Sequence, residues 1–170
     1  HSLEVACVGR TLAIRIGEAL QQAGSLPADI WPTDLGDIVQ STCLAHDIGN
    51  PPFGHTGEEA MKNWFQKEGS PYLQGLAAAE RADLENFEGN AQGLRILTTS
   101  EYYQFEGGMR LTYATLGAFI KYPWTSVETQ RPKANKYGIY QADTSHVREI
   151  AAKTGLLAKG DNFYCRHPLV

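Results

Sequence analysis

Apolar residues recur at helical spacing from the start of the chain. Val5, Val8, Leu12, Ile16 and Leu20 fall on one stripe, with Arg10, Arg15 and Glu18 on other faces. They predict a helix over residues 1–23, ended by Gly24 and Pro27. His1 precedes Val5 by four positions, so it lies above this stripe; the stripe is expected to be buried and His1 to point inward. A second helix is predicted from Asp34 as its cap, with Leu35, Val39, Thr42 and His46 along one face. It ends by Gly49, because no helix continues through the Asn50-Pro51-Pro52 turn. Thr56 and Glu59 have capping-box spacing and open a helix to about Phe65. Further helices are read over 86–98, over 111–122 before Pro123, and over 142–154 before Gly155. Residues 124–141, with Pro132 and several lysines, predict an exposed loop near the site or a disordered one. Strand signals are weak, amounting to one short pairing near 137–140 or 162–165. The pattern therefore predicts an all-α fold without internal repeats.

Composition narrows the function classes. A chain of 170 residues is most simply one domain, long enough to bury roughly 70% of its unfolded surface. Hydrophobic content of 42% and charged content of 20% fit an ordinary globular protein. A net charge of −4 argues against general affinity for nucleic acid, which needs a basic face. It leaves room for one anionic small molecule whose phosphates are neutralised locally by a metal and a few cations. No apolar run approaches the ~18–20 residues of a membrane span, so no membrane partner is expected. Cys7, Cys43 and Cys165 are odd in number and form no C-x-x-C pair. Reduced thiols and a cytoplasmic location are expected. The chain begins at His1 with the helical pattern already running, and stops at Pro168-Leu169-Val170. It is expected to be a segment of a longer protein.

The densest chemistry lies in Leu44-Ala-His46-Asp47-Ile-Gly-Asn-Pro-Pro-Phe-Gly-His55-Thr-Gly-Glu58. A catalytic metal needs convergent nitrogen and oxygen ligands on rigid elements, with a position left open. His46 and Asp47 are adjacent at a helix end, and neighbours there diverge by about 100°. Both meet one ion only if it sits at the helix flank, and His1 is the natural third ligand. Imidazoles with carboxylates suit Mn²⁺, Fe²⁺, Ni²⁺ or Zn²⁺, and tolerate Mg²⁺ when substrate phosphates complete the shell. His55 and Glu58 form a second group, in which a carboxylate orients an imidazole and favours its protonated form. That is a general acid or base beside the metal. Taken singly, each feature has a plainer reading. A lone histidine is more often a satisfied core residue, and Asn50-Pro51-Pro52 can be only a turn. Asp83, Glu85 and Glu88 read as a solvated acidic face, and His146 and His167 as surface or structural residues. The coincidence of the parts in one segment favours a metal-dependent hydrolase.

These residues resemble the HD-domain metal-dependent phosphohydrolases, and specifically the deoxyguanosine triphosphate triphosphohydrolase branch. The resemblance rests on His1-Ser-Leu-Glu-Val and on His46-Asp47-Ile-Gly-Asn-Pro-Pro-Phe-Gly-His55-Thr-Gly-Glu58. It continues in Phe87-Glu-Gly-Asn90-Ala-Gln-Gly-Leu-Arg95 and Leu111-Thr-Tyr-Ala-Thr-Leu-Gly-Ala-Phe-Ile-Lys121-Tyr122-Pro-Trp, with weaker similarity through 137–141. It implies that residues 1–170 are an HD-type helical bundle core. It further implies one divalent metal, Mg²⁺ or Mn²⁺, held by His1, His46, Asp47 and a later aspartate, with His55 and Glu58 assisting catalysis. Asn90, Lys121 and Tyr122 are the candidate contacts to sugar or phosphate. The implied reaction converts a deoxynucleoside triphosphate, dGTP foremost, to deoxynucleoside and triphosphate. Asp143 and Asp161 stand in no matching context, so the fourth ligand is expected beyond residue 170 and the segment alone is expected to be inactive. The family also implies a homo-oligomer, whose interfaces or core Trp64, Phe65, Tyr72, Tyr102 and Tyr103 would serve. Single-stranded DNA effects occur in the family, but no basic, aromatic groove indicates them here. The alternatives are another HD phosphohydrolase, a nucleotidase or phosphodiesterase, and a nucleotide-sensing module without turnover.

Overall fold

The computed structural model describes residues 1–100, 108–130, 132–133 and 135–170; Tyr102 and Tyr103 lie outside them. Helix α1 (Ser2–Gln22) runs antiparallel to α2 (Pro32–Ala45). Gly17 abuts Pro32, Ile14 abuts Gly36 and Gly9 abuts Cys43, so the two backbones approach through small residues. This pairing decides which face of α1 is covered. Ala6, Ala13 and Gly17 are buried, whereas Val8, Leu12 and Ile16 remain 56%, 57% and 55% exposed. The expectation of a buried stripe is thus corrected: close packing selects the small-residue face, and the large apolar face borders an open cavity.

Helix starts differ from the cap signals by one to three residues. Asp34 sits in the first turn of α2, where Oδ2 accepts the Trp31 N–H at 2.7 Å. Helix α3 (His55–Gln66) opens at Gly54, whose carbonyl accepts the Glu58 N–H at 3.0 Å. Thr56 is therefore inside the helix and not its cap. Gly54 has φ +56°, a left-handed conformation that glycine adopts without steric cost. Helix α4 (Ala78–Glu85) has no counterpart in the sequence reading. Helix α5 (Gly89–Arg95) continues into a π-helical turn at Ile96–Ser100, followed by α6 (Tyr113–Phe119) and α7 (Thr144–Thr154). Gly155, at φ +71°, ends α7 as expected. Strands β1 (Ala158–Gly160) and β2 (Phe163–Tyr164) form one small antiparallel pair. Seven helices and one hairpin among the described residues make the fold mostly α, as predicted. No helix among them is long and apolar enough to cross a membrane.

Two apolar clusters hold these elements. Leu94, Leu97, Leu116, Phe119, Val147 and Ile150 join α5, α6 and α7. Tyr122, Trp124, Tyr137, Tyr140 and Phe163 form the second, drawn largely from the segment read as an exposed loop. That segment is irregular but buried at Trp124, Thr125, Ser126, Tyr137, Ile139 and Tyr140. Asp83 explains how an irregular stretch is fixed there. Its carboxyl accepts the Ser126 hydroxyl at 2.5 Å and the Gln141 N–H at 2.6 Å, while its carbonyl accepts the Tyr137 hydroxyl at 2.7 Å. Asp83 is 5% exposed and Glu88 is fully buried, so neither belongs to a solvated face; only Glu85, paired with Arg81 at 2.6 Å, lies near the surface.

Burial pushes the Asp83 carboxyl up to about 6 from 3.8, against the lowering effect of its bonds from Ser126 and Gln141. The folded state therefore holds the proton more tightly than the unfolded chain. This site's stabilisation is complete below pH 3.8 and is lost as pH rises through 6. The loss is at most about 3 kcal/mol at ~1.4 kcal/mol per unit. Denaturant unfolding of the full-length protein at pH 4 to 8 should show wild type losing more stability than Asp83→Asn with rising pH. Parallel profiles would contradict this account.

Candidate metal and acid/base site

His46 closes α2, and its Nδ1 lies 2.7 Å from the Cys43 carbonyl. A carbonyl only accepts, so Nδ1 carries a hydrogen, and this bond turns Nε2 toward Asp47. Asp47 Oδ2 is 3.0 Å from that Nε2, and Asp47 Oδ1 accepts from Asn50 Nδ2 at 2.9 Å. His1, at the start of α1, sets its ring edge-on to His46 with centroids 5.4 Å apart. The ligand atoms of His1, His46 and Asp47 all lie within 4.8 Å of one another, the one such group among the described residues. His1 is exposed, as is Asp47, while His46 is half-buried. Two imidazoles and a carboxylate, one imidazole already oriented by its Nδ1–H bond, fit a divalent cation and leave coordination positions open. Neither late aspartate joins them. Asp143 is 1% exposed and bound to Arg95 at 2.9 Å, and Asp161 is an exposed turn residue.

The second group begins where the Asn50-Pro51-Pro52 turn delivers the chain into α3. Glu58 is 3% exposed; its Oε1 accepts the Gly89 N–H at 2.9 Å and its Oε2 lies 3.1 Å from His55 Nδ1. Burial alone would raise the Glu58 pKa, but the Gly89 and His55 hydrogen bonds and the charges of Lys136 and Lys62 outweigh it and hold it below the usual range. An ionised carboxylate only accepts, so Nδ1 of His55 is the donor and Nε2 is the atom left for proton transfer. The His55 side chain is 84% exposed, whereas the carboxylate that orients it is buried. The meeting of α5 with the motif depends on glycine. A Cβ on Gly49 would stand 2.1 Å from the Gly89 carbonyl oxygen, and one on Gly89 would stand 2.8 Å from Glu58 Oε1.

One cavity of about 680 Å³ is bordered by His46, Asp47, His55, Asn90, Lys121 and Tyr122, within the range of small-molecule sites. The structure thus sets His46, Asp47 and His55 around one space, with His1 and Glu58 behind its border, together with the three candidate contacts. Their environments differ. Lys121 is exposed, while the Tyr122 ring is 5% exposed, packed on Trp124 and ringed by Lys121, Lys133 and Arg166 at 5.7–5.8 Å. Lys136 also borders the cavity and was missed in the sequence. Its Nζ lies 2.9 Å from Glu88 Oε2 and 3.7 Å from Glu58 Oε2. Burial would lower its pKa, but the Glu88 hydrogen bond and the charges of Glu88 and Glu58 hold it above the usual lysine value. Its only sequence signal was the weak similarity just after it. Asn50, three residues after Asp47, was readable as more than a turn residue from that spacing. His146 borders a separate cavity, and His167, whose pKa burial lowers, packs against Gly117 and is not among the residues bordering the site.

The HD-domain family matches residues 1–95, which include His1, His46, Asp47, His55 and Glu58. The chain belongs to the HD-domain family. Its curated relatives share the whole segment. A deoxyguanosinetriphosphate triphosphohydrolase-like protein of Pseudomonas aeruginosa is 56% identical over 173 residues, covering 100% of this chain and 39% of the relative. The Synechocystis protein of the same name is 45% identical, over 99% of this chain and 41% of its own length. A deoxyguanosinetriphosphate triphosphohydrolase of Cronobacter sakazakii is 33% identical, over 99% of this chain and 38% of its own. This HD-domain chain therefore spans about two fifths of the length of these relatives.

Proposed function

We propose that the full-length protein hydrolyses a deoxynucleoside triphosphate, dGTP foremost, to deoxynucleoside and inorganic triphosphate, using Mg²⁺ or Mn²⁺ held by His1, His46 and Asp47. The observation that carries this reading is His55, whose Nδ1 is committed to a buried, ionised Glu58 and which borders the same cavity as His46 and Asp47, leaving Nε2 as its atom for proton transfer. Expelling a nucleoside 5′-oxygen requires a proton, because the alkoxide is a poor leaving group. His55 Nε2 delivers that proton as the bond to the α-phosphorus breaks, and Glu58 stabilises the imidazolium before it is spent. A divalent cation held by His1, His46 and Asp47 would supply charge neutralisation at the α-phosphate and a more acidic water. Lys121, exposed at the cavity, offers a positive charge to the phosphates and Asn90 a polar contact, while the Lys136 ammonium is already balanced by Glu88 and Glu58. The names of the relatives support dGTP as substrate.

The bond cleaved is tested by running the full-length enzyme in ¹⁸O-labelled water with dGTP and Mn²⁺. The label is expected in triphosphate, with unlabelled deoxyguanosine. Phosphate or pyrophosphate as product would overturn the proposal in favour of another HD phosphohydrolase, and bound dGTP without turnover would favour a sensing module.

A further inference from the structure

We propose that Glu88 is a positioning residue, whose buried carboxyl group fixes the Lys136 ammonium and the Asn90 side-chain amide at the edge of the cavity. The inference rests on the reaction proposed above for its catalytic consequence, though not for its geometry. Glu88 is 0% exposed and stands at the N-terminal cap of α5. If capping were its purpose, the bond to the backbone would be the short one. It is instead the longest, with Asn90 N 3.4 Å from Oε1. The same oxygen accepts from Asn90 Nδ2 at 2.7 Å and Lys136 Nζ at 3.1 Å, while Oε2, which has no hydrogen bond among the described residues, faces that ammonium as an ion pair at 2.9 Å. A shorter Asp or Ser caps a helix equally well; the reach of glutamate serves the two side chains.

Both of those side chains border the cavity. With Nδ2 held by a carboxyl group, the Asn90 amide cannot turn over without losing its shortest bond. Lys136 is held from two sides. The Trp124 indole N–H donates to its carbonyl at 2.6 Å, which anchors the backbone independently of Glu88. Its ammonium is then divided between Glu88 and, at 3.7 Å, the Glu58 carboxylate that orients His55. Without Glu88 the backbone stays in place, but the ammonium keeps only its 3.7 Å approach to Glu58 and swings more freely into solvent. That shift alters the support behind His55.

The test uses the full-length protein and the variants Glu88→Gln, Glu88→Asp, Lys136→Met and the Glu88→Gln/Lys136→Met double variant. Glu88→Gln should lower kcat/KM for dGTP about 10–100-fold, the range found when a supporting partner of a site is lost. The same change in the Lys136→Met background should cost no more than about threefold, because coupled residues are not additive. Glu88→Asp keeps the charge and the cap but is one methylene too short for Lys136, so it should lose activity as Glu88→Gln does. A purely structural role predicts near wild-type activity for Glu88→Asp and equal losses in both backgrounds, and either result overturns the assignment. A second readout is independent of turnover. Competitive amine acetylation read by mass spectrometry should label Lys136 several-fold faster in Glu88→Gln, with Lys121 unchanged. If wild type releases no triphosphate, the reaction proposed above fails, and the labelling alone decides whether Glu88 holds Lys136. Unchanged Lys136 labelling overturns the inference.

Discussion

Replacing His55 with alanine in the full-length protein lowers kcat for dGTP about 10²–10⁴-fold, the usual worth of a positioned general acid, and changes KM by only a few fold. The asymmetry follows from where the residue stands. His55 is the first residue of α3 and its side chain is 84% exposed, so its loss removes little packing. Glu58, which it leaves behind, still accepts from Gly89 and still lies near the Lys136 charge. The protein should therefore fold and bind dGTP, yet fail to protonate the departing 5′-oxygen. Added weight comes from the substrate itself, since a nitrophenyl leaving group needs no proton. A nitrophenyl phosphodiester should consequently be hydrolysed by His55→Ala with a much smaller loss than dGTP. Steady-state kinetics on both substrates decide the matter, and equal losses on the two would show that His55 does not act as the acid.

The second large effect is expected at His46. His46→Ala should weaken Mn²⁺ binding to the full-length protein by at least about 100-fold, measured by calorimetry, and reduce turnover to background. Two arguments set that size. The residue is the central member of its group, with its Nδ1–H tied to the Cys43 carbonyl and Nε2 facing Asp47, so its ring is already oriented toward the other two ligands. His1 and Asp47, left alone, are both exposed and pay more side-chain entropy on ligation. The folding cost is smaller. His46 lies half-buried at the end of α2, and its loss removes one hydrogen bond, worth about 1 kcal/mol. Melting temperature should therefore move little while metal affinity collapses. Mn²⁺ affinity retained within threefold would remove His46 from the ligand set.

Helical periodicity made the all-α fold legible, and the single run from His46 to Glu58 contains four of the five candidate metal and acid/base residues. Periodicity could not show which face of α1 is covered. The moment of Val8, Leu12 and Ile16 pointed one way, but α2 packs against the glycines and alanines on another side, because backbones approach most closely there. Local cap signals at Asp34 and Thr56 were real side-chain preferences overridden by neighbouring geometry, the latter by the left-handed Gly54. The buried carboxyls were the hardest to read. Asp83 and Glu88 look like surface acids in a stretch rich in charge, and their partners, Ser126, Gln141 and Lys136, lie 43 to 58 positions later. Nothing local announces such a pairing. Lys136 was hidden for the same reason: its role is set by two carboxyls brought beside it by α3, α5 and the irregular segment together.

The most direct test is chromatographic product analysis of the full-length protein with dGTP and Mn²⁺, run beside His46→Ala. Deoxyguanosine and triphosphate in equal amounts from wild type, and neither from the variant, are the predicted result. Triphosphate released equally by both proteins would place the reaction outside the His1, His46 and Asp47 group and contradict the account.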